Sequence, residues 1–249
     1  MKPSEIQDII IGLFEREKLD RVPEDWGFTL GERDISRIGY ATNLTPQTVD
    51  QAVERGVDMM ITHHEAWDFL HCMKEHFMTE LREHGISHCF FHLPLDDAEF
   101  GTNASLAARL DLQRVEKSTL YNDLFYCGRI GEFEPAISLD ELKARMEDIC
   151  DEPVRAWRNH DGPVKRVCLV CGGGGDTKDV REAVDRGCDA YITGEKTLYT
   201  LEYARFAGIN LIIGSHTFTE LPGVEGFAQA VSAVCPNLEI IRLQEEHVE

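Results

Sequence analysis

The chain has 249 residues, of which 43% are hydrophobic, enough to build a sizeable core in one large α/β domain or two smaller ones. Its formal net charge is −20 and it contains no basic run, so we do not expect nucleic-acid binding, which needs clustered lysine and arginine. No apolar run approaches the roughly 18 residues of a membrane-spanning helix, and the N-terminus is a charged amphipathic segment. These features predict a cytoplasmic protein that does not enter the membrane.

The strongest pattern in the chain is an internal repeat. Residues 52–62, AVERGVDMMIT, align without a gap to residues 183–193, AVDRGCDAYIT, with identity at seven of the eleven positions. Each copy has the pattern of a helix end, a glycine and a short apolar strand. The first copy follows a strand RIGYATN and precedes a helix over residues 67–84 and a strand ISHCFFHL. The second follows RVCLVC and precedes the helix KTLYTLEYARFAG and the strand INLIIGSH.

This order predicts an α/β fold of two duplicated βαβαβ halves, with mainly parallel sheets flanked by helices. Between the halves, a strand near LFYCGRI, a helix over SLDELKARMEDIC and a strand near VRAWR predict a small α+β insertion. The predicted domains are therefore residues 1–112, 113–160 and 161–249. The last residues, QEEHVE, are expected to form a frayed acidic tail.

The eight cysteines are scattered, mostly within apolar segments, which indicates reduced and buried thiols. Cys168 and Cys171 form the only CxxC, and strand alternation would point them to opposite faces of a sheet. No second CxxC completes a zinc ribbon, so a place in the core is favoured over a metal or redox role.

Ligand-type side chains follow several of the predicted strands. In open parallel sheets, functional groups collect beyond the carboxyl ends of the strands. A two-fold-like arrangement of the halves would bring such ends around one cleft. Mixed imidazole and carboxylate ligands suit Zn, Fe, Mn, Ni or Co better than Ca or Mg, and five of them can hold two ions. Surface histidines and helix-capping acids are the alternative. The side chains concerned are His63 and His64 after MMIT, His92 and Asp96 after CFF, and His216 and Glu220 after LII.

His92 and Asp96 both follow the same predicted strand, so either is a candidate ligand. Pro94 is expected to keep the chain extended, which would carry Asp96 beyond the sheet to where a metal would lie. On this basis Asp96 is the predicted ligand and His92 a supporting group. If a helix follows the strand LII, His216 is expected just before it and Glu220 in its first turn.

Two glycine-containing segments of the second half have competing interpretations. Gly194 and Glu195 stand at the repeat positions of His63 and His64, so Glu195 can be a carboxylate that holds an imidazole, a general base or an ordinary helix N-terminal acid. The loop Gly172–Gly175 can cradle a phosphate, but it has neither the Lys-Ser/Thr of a P-loop nor a GxGxxG pattern. A tight turn with Asp176 or Thr177 capping the next helix is the alternative.

The residues described so far resemble the Nif-three-like dinuclear metal centre family, also known as GTP cyclohydrolase I type 2 homologues. Four blocks carry the resemblance in order: ITHH, HLPLDDAEFGTNASLAARLDL, the strand-glycine-helix block that runs into DAYITGE, and GSHTFTELPGVEGFAQAV. The resemblance implies two divalent transition-metal ions per chain, a homohexameric ring and a small-molecule substrate such as a nucleotide. The ligands it implies are His63, His64, Asp96, His216 and Glu220.

The sequence departs from the family pattern at two places. Glu65 stands where the family often has proline, which would place a further carboxylate near the metals. Asn43 stands where the family often has aspartate, which puts in doubt a catalytic role for that strand end.

The leading expectation is a metal-dependent hydrolase, in which two ions lower the pKa of a water molecule. Glu195, Glu65 and His92 are then the candidate catalytic proton carriers. The alternative is a non-catalytic metal-binding or scaffold ring. A hydrolase should lose metal-dependent turnover when Asp96 is changed to alanine, whereas a scaffold should keep its partner.

Overall fold

The computed structural model describes residues 1–248, which form two compact units. The first unit contains residues 1–100 and 224–248, and the second contains residues 101–223. The elements of the first unit before residue 101 are α1 (Pro3–Ile11), α2 (Arg16–Leu19), β1 (Trp26–Thr29), β2 (Arg37–Ala41), α3 (Pro46–Glu54), β3 (Met59–Thr62), α4 (Met73–Glu83), β4 (Ser87–Phe91) and α5 (Leu93–Asp97).

The second unit and the end of the chain supply the other elements. These are α6 (Thr102–Arg109), β5 (Gln113–Tyr121), β6 (Phe125–Ile137), α7 (Leu139–Cys150), β7 (Arg155–Trp157), β8 (Val164–Val170), α8 (Thr177–Asp185), β9 (Ala190–Thr193), α9 (Leu198–Ala207), β10 (Asn210–Ile213), α10 (His216–Val234) and β11 (Glu239–Arg242). Helix α10 begins in the second unit, and its residues from 224 onward belong to the first.

The first unit is built on a five-stranded sheet of order β1-β4-β3-β2-β11. Strands β2, β3, β4 and β11 are parallel, and β1 is antiparallel to β4. Apolar side chains of α1 and α10 pack on one face of this sheet, and those of α3 and α4 pack on the other. The return of the chain end to pair β11 with β2 is not predicted by the repeat.

The second unit is built on a six-stranded sheet of order β5-β6-β8-β9-β10-β7. Strands β8, β9 and β10 are parallel, whereas β6 is antiparallel to β8 and β7 to β10. Helices α6, α7 and the start of α10 cover one face, and α8 and α9 cover the other. Residues 113–160, the predicted insertion, extend this sheet on both sides. The predicted domain boundaries at 112/113 and 160/161 stay a prediction.

The predicted repeat is confirmed as the strand-helix alternation β2-α3-β3-α4-β4 and β8-α8-β9-α9-β10. Gly56 (φ 63°) and Gly187 (φ 70°) follow their helices in the left-handed conformation that favours glycine. The aspartate shared by the two copies, Asp58 or Asp189, makes equivalent hydrogen bonds in both. A side-chain oxygen of Asp58 accepts the backbone N–H groups of residues 36 and 37, and Asp189 accepts those of residues 165 and 166. The repeat therefore preserves both the end of the helix and the hydrogen bonds that link the start of the next strand to its neighbour.

Three local predictions were wrong. Helix α4 begins at Met73 rather than near residue 67, because the chain turns before Cys72, which is itself left-handed at φ 58°. His216 is the first residue of α10 rather than the residue before it. The acidic tail is not frayed at its start, since the Leu243 N–H donates to Tyr40 O and the Glu245 carboxylate accepts hydrogen bonds from Thr42 and Asn43.

The CxxC pair lies in the core, as predicted. Cys168 and Cys171 are buried and belong to the apolar clusters on opposite faces of the second sheet. Within residues 1–248, none of the helices combines the length and the apolar character needed to cross a bilayer.

Candidate metal centre

The histidine pair of the first unit begins at the carboxyl end of β3. The N–H groups of His63 and His64 both donate to Thr42 O, at 3.0 and 3.1 Å, which turns the chain away from the strand direction. His63 is fully buried, and its Nδ1 lies 2.9 Å from the carbonyl oxygen of Phe91. Since a carbonyl only accepts, Nδ1 carries the proton and Nε2 is left as the donor atom for a metal.

The second imidazole of the pair is held through a side-chain amide. His64 Nδ1 lies 2.7 Å from Asn43 Oδ1, and Asn43 Nδ2 donates to Glu245 Oε1 at 2.9 Å. The backbone N–H groups of Thr42 and Asn43 donate to the same carboxylate. Burial raises the pKa of Glu245, and the hydrogen bonds from Thr42 and Asn43 oppose that shift.

The segment after β4 is a helix, which corrects the predicted extended chain. Leu95 and Asp96 donate their N–H groups to His92 O, and Pro94 lies in the first turn of α5, where its missing N–H costs nothing. Asp96 Oδ1 lies 3.6 Å from His63 Nε2. The helical turn, and not an extended chain past Pro94, therefore brings the Asp96 carboxylate to the histidine pair.

His92 lies at the same place as the pair. The possible ligand atoms of His63, His64 and His92 all lie within 4.8 Å of one another. His92 Nδ1 lies 3.1 Å from Asp25 Oδ1, and its backbone N–H donates to Asp25 O. Asp25 thus orients His92 so that Nε2 is the available ring atom. Which of His92 and Asp96 is a ligand and which a supporting group stays a prediction.

In the second unit, the first turn of α10 carries the remaining predicted ligands. His216 and Glu220 are one helical turn apart, and His216 Nε2 lies 3.2 Å from Glu220 Oε1. The Glu195 carboxylate, which follows β9, lies 2.6 Å from His216 Nδ1. Burial lowers the pKa of His216, but the hydrogen bonds and charges of Glu220 and Glu195 outweigh it and raise the pKa to about 10. A metal at Nε2 would therefore replace a proton.

Two glycines allow this pair to sit against the strand ends. A Cβ atom on Gly172 (φ 61°) would lie 1.9 Å from Glu220 Oε1 and 2.8 Å from His216 Nε2. A Cβ atom on Gly194 would lie 2.7 Å from His216 Cα. Both positions therefore need glycine because α10 packs directly on the backbone there.

The glycine loop after β8 has a structural explanation that needs no phosphate. Gly172 N–H donates to Thr219 Oγ1, and its carbonyl accepts from the N–H of Gly194. Asp176 caps α8 by accepting the N–H of Lys178, which is one of the two capping alternatives predicted. These contacts favour the turn-and-cap interpretation of the loop.

Glu65 is paired with a lysine of α4. Its carboxylate pairs with Lys74 Nζ at 3.0 Å, and the two line a separate pocket of about 220 Å³ with His88 and Phe90. Within residues 1–248, none of the hydrogen bonds or ion pairs given for Glu65 involves His63, His64 or His92, and its catalytic role stays a prediction. Sequence reasoning missed Asp25 and Glu245, whose partners are 67 and 202 residues away along the chain. No local pattern marks such contacts.

Comparisons with known proteins are consistent over nearly the whole chain. The model of the family Duf34/NIF3 (NGG1p interacting factor 3) matches residues 1–248. A GTP cyclohydrolase 1 type 2 homolog from Pasteurella multocida is 28% identical over 211 residues, covering 81% of this chain and 82% of that protein. One from Pyrococcus horikoshii is 30% identical over 201 residues, covering 78% and 79%. A solved structure of "protein ybgI, unknown function" is similar in fold, with a TM-score of 0.85 and 23% identity over the full length of both chains.

Proposed function

This chain belongs to the Duf34/NIF3 family, and we propose that it is a metal-dependent hydrolase with two divalent transition-metal ions per chain. The proposed ligands are the five residues that the sequence predicted, three imidazoles and two carboxylates. They are His63, His64, Asp96, His216 and Glu220.

One observation supports the metal-binding part of the proposal: each of these imidazoles has its Nδ1 against a protein acceptor. The acceptors are Phe91 O for His63, Asn43 Oδ1 for His64 and Glu195 Oε1 for His216. A histidine that binds a metal through Nε2 almost always donates its other N–H in this way, because the bond fixes the ring and its tautomer. Ordinary surface histidines need no such arrangement. The donor set of imidazole and carboxylate fits Zn, Fe, Mn, Ni or Co.

Bound ions would supply Lewis-acid activation of water and of the group that is hydrolysed. The chain itself must then move protons, and His92 is the residue we assign to this step. Its imidazole is partly exposed, close to the histidine pair, and held at Nδ1 by Asp25, so that Nε2 can take up and release a proton.

For the substrate we propose a nucleotide. The support is the name of the relatives, GTP cyclohydrolase 1 type 2 homolog, together with a pocket in the second unit. The pocket has a volume of about 310 Å³ and is bordered by Glu195, with Arg155 and Lys196 among its lining residues. Two cations at its wall can face phosphate oxygens, while Glu195 connects the pocket to His216.

The proposal is tested on one purified sample by elemental analysis and by a hydrolysis screen that starts with GTP. We expect close to two transition-type ions per chain and turnover that a chelator abolishes. Asp96→Ala should lose both turnover and metal, whereas Asp50→Asn, at an exposed carboxylate of α3, should keep both. A protein that holds its metal but hydrolyses nothing in the screen would contradict the hydrolase and support the scaffold alternative. Absence of metal after metal-replete expression would contradict the site itself.

A further inference from the structure

The end of the chain reaches the candidate site through Glu245. Its two carboxylate oxygens face three N–H groups: Oε2 accepts from Thr42 N at 2.8 Å, and Oε1 accepts from Asn43 N and Asn43 Nδ2, each at 2.9 Å. An ionised carboxylate has no proton to donate, so Glu245 acts only as an acceptor toward Asn43. The contact is confined to the first unit and links the last segment of the chain to the loop after β2.

This arrangement decides which way the Asn43 amide points. An amide group offers an oxygen on one side and an NH₂ group on the other, and the two are close to the same size. Facing an acceptor-only carboxylate, it must present Nδ2, because two facing acceptors would repel. Asn43 Oδ1 is then turned toward His64, where it lies 2.7 Å from Nδ1. The orientation therefore follows from the chemistry of Glu245.

The amide orientation in turn decides the state of the imidazole. An amide oxygen can only accept, so His64 Nδ1 must carry the hydrogen and Nε2 must keep its lone pair. With the amide reversed, Asn43 Nδ2 would donate to Nδ1, the hydrogen of the neutral ring would lie on Nε2, and that atom would no longer be a ligand. We propose that Glu245 is a positioning residue that fixes the Nδ1–H tautomer of His64 through Asn43.

His63 provides the contrast within the same site. Its Nδ1 faces the backbone carbonyl of Phe91, an acceptor that cannot reverse. The tautomer of His63 is therefore independent of Glu245, and of the two adjacent imidazoles only His64 depends on an amide that can turn over. A general loosening of the unit would affect both rings, whereas the proposed role affects one.

The test is ¹⁵N NMR of the metal-free, full-length protein labelled at histidine, recorded at a pH above the imidazole range. Protonated and unprotonated ring nitrogens give well-separated signals, and His64→Gln assigns the His64 pair by its loss. The wild type should show His64 protonated at Nδ1. Glu245→Gln, whose amide can also donate to Asn43, should give a mixture of tautomers or the Nε2–H form at His64 alone. Glu246→Gln, at the exposed neighbouring carboxylate, should match the wild type.

A double variant distinguishes the proposed effect of Glu245 on the His64 tautomer through Asn43 from a merely structural effect. Asn43→Asp places a carboxylate directly against His64 Nδ1, which then accepts whichever way it turns. Asn43→Asp combined with Glu245→Gln should therefore restore the Nδ1–H tautomer that Glu245→Gln alone loses. A Glu245→Gln spectrum in which His64 is unchanged would overturn the proposal, as would equal changes at His63 and His64.

The consequence for metal binding rests on the proposed function and is measured separately. With Zn²⁺ as the probe, Glu245→Gln should weaken binding by about 10-fold or more, as is typical for groups that orient a ligand, and the double variant should recover most of the loss. If the wild type bound no Zn²⁺, the proposed ligand role would fail while the tautomer spectra would still decide the role of Glu245. If Glu245→Gln weakened Zn²⁺ binding but left the His64 tautomer unchanged, the positioning role of Glu245 would be overturned while the proposed metal site would still be supported.

Discussion

Replacing Gly172 by alanine tests how closely the second sheet must approach the His216–Glu220 pair. The new Cβ atom would lie 1.9 Å from Glu220 Oε1 and 2.8 Å from His216 Nε2. Glu220 is buried, so its carboxylate has little room to withdraw, and the 3.2 Å contact with His216 would break. The substitution should therefore reduce both stability and metal binding.

Two terms contribute to the expected loss of stability. Gly172 has φ 61°, and an L-residue in the left-handed region costs about 1 to 2 kcal/mol. Forcing extra volume into a packed site costs a further 1 to 3 kcal/mol, roughly. Gly172→Ala should thus lower the free energy of unfolding of the metal-free protein by about 2 to 5 kcal/mol.

Two other glycines separate these terms. Gly187 has φ 70° and nothing within 4 Å of an added Cβ atom, so Gly187→Ala reports the backbone strain alone, about 1 to 2 kcal/mol. Gly173 lies in the same loop as Gly172, and an added Cβ atom would make only an ordinary 3.7 Å contact with His216 Cε1. Gly173→Ala should be close to neutral.

Urea unfolding of the three metal-free variants gives the stability, and elemental analysis after metal-replete expression gives the metal content. Only Gly172→Ala should lose metal, and its loss of stability should exceed that of Gly187→Ala. Equal stability losses for these two variants, with wild-type metal content in both, would show that the argument from close approach is wrong.

Three further predictions concern the ligands, pH and assembly. Asp96→Ala should lower the metal content while His92→Ala largely keeps it under metal-replete conditions; elemental analysis showing the reverse would exchange their roles. Burial lowers the pKa of His88 from 6.5 to about 4, so His88 stays neutral in the fold while the unfolded chain takes up a proton. The contribution of His88 to the free energy of unfolding is therefore fully present above about pH 6.5, and about 3 kcal/mol of it is lost as the pH falls to 4. Denaturant unfolding of His88→Gln should lack that part of the pH dependence. We also propose a homohexamer, which light scattering would contradict by finding a stable monomer.

The sequence could predict the fold because the identical residues of the repeat have the same structural roles in both copies. The seven identities in eleven residues include the left-handed glycine after the helix and the aspartate before the next strand. These are Gly56 and Asp58 in one copy and Gly187 and Asp189 in the other. Functional side chains collect at the carboxyl ends of parallel strands, so the positions of His63, His64 and His216 predict them as candidate ligands, and that assignment stays a prediction.

The local course of the chain around Asp96 could not be predicted in the same way. Pro94 is compatible with an extended chain and with the first turn of a helix, because its fixed φ suits both. Helix α5 has only five residues, too few for an apolar periodicity to show. The helical turn is fixed by hydrogen bonds from the N–H groups of Leu95 and Asp96 to His92 O. Residue propensities do not predict these contacts.

The two halves do not have their predicted ligands at equivalent positions, and the surroundings of Gly194 explain why. His63 follows β3, and its equivalent after β9 is Gly194. A Cβ atom at Gly194 would collide with His216 Cα, because α10 begins directly against that strand end, so no histidine can occupy the position. In the second half the predicted imidazole ligand, His216, follows the next strand instead. The residue at the position equivalent to His64, Glu195, lies 2.6 Å from Nδ1 of that imidazole. In the second half the predicted ligand therefore follows the next strand, and the position equivalent to His64 supports it.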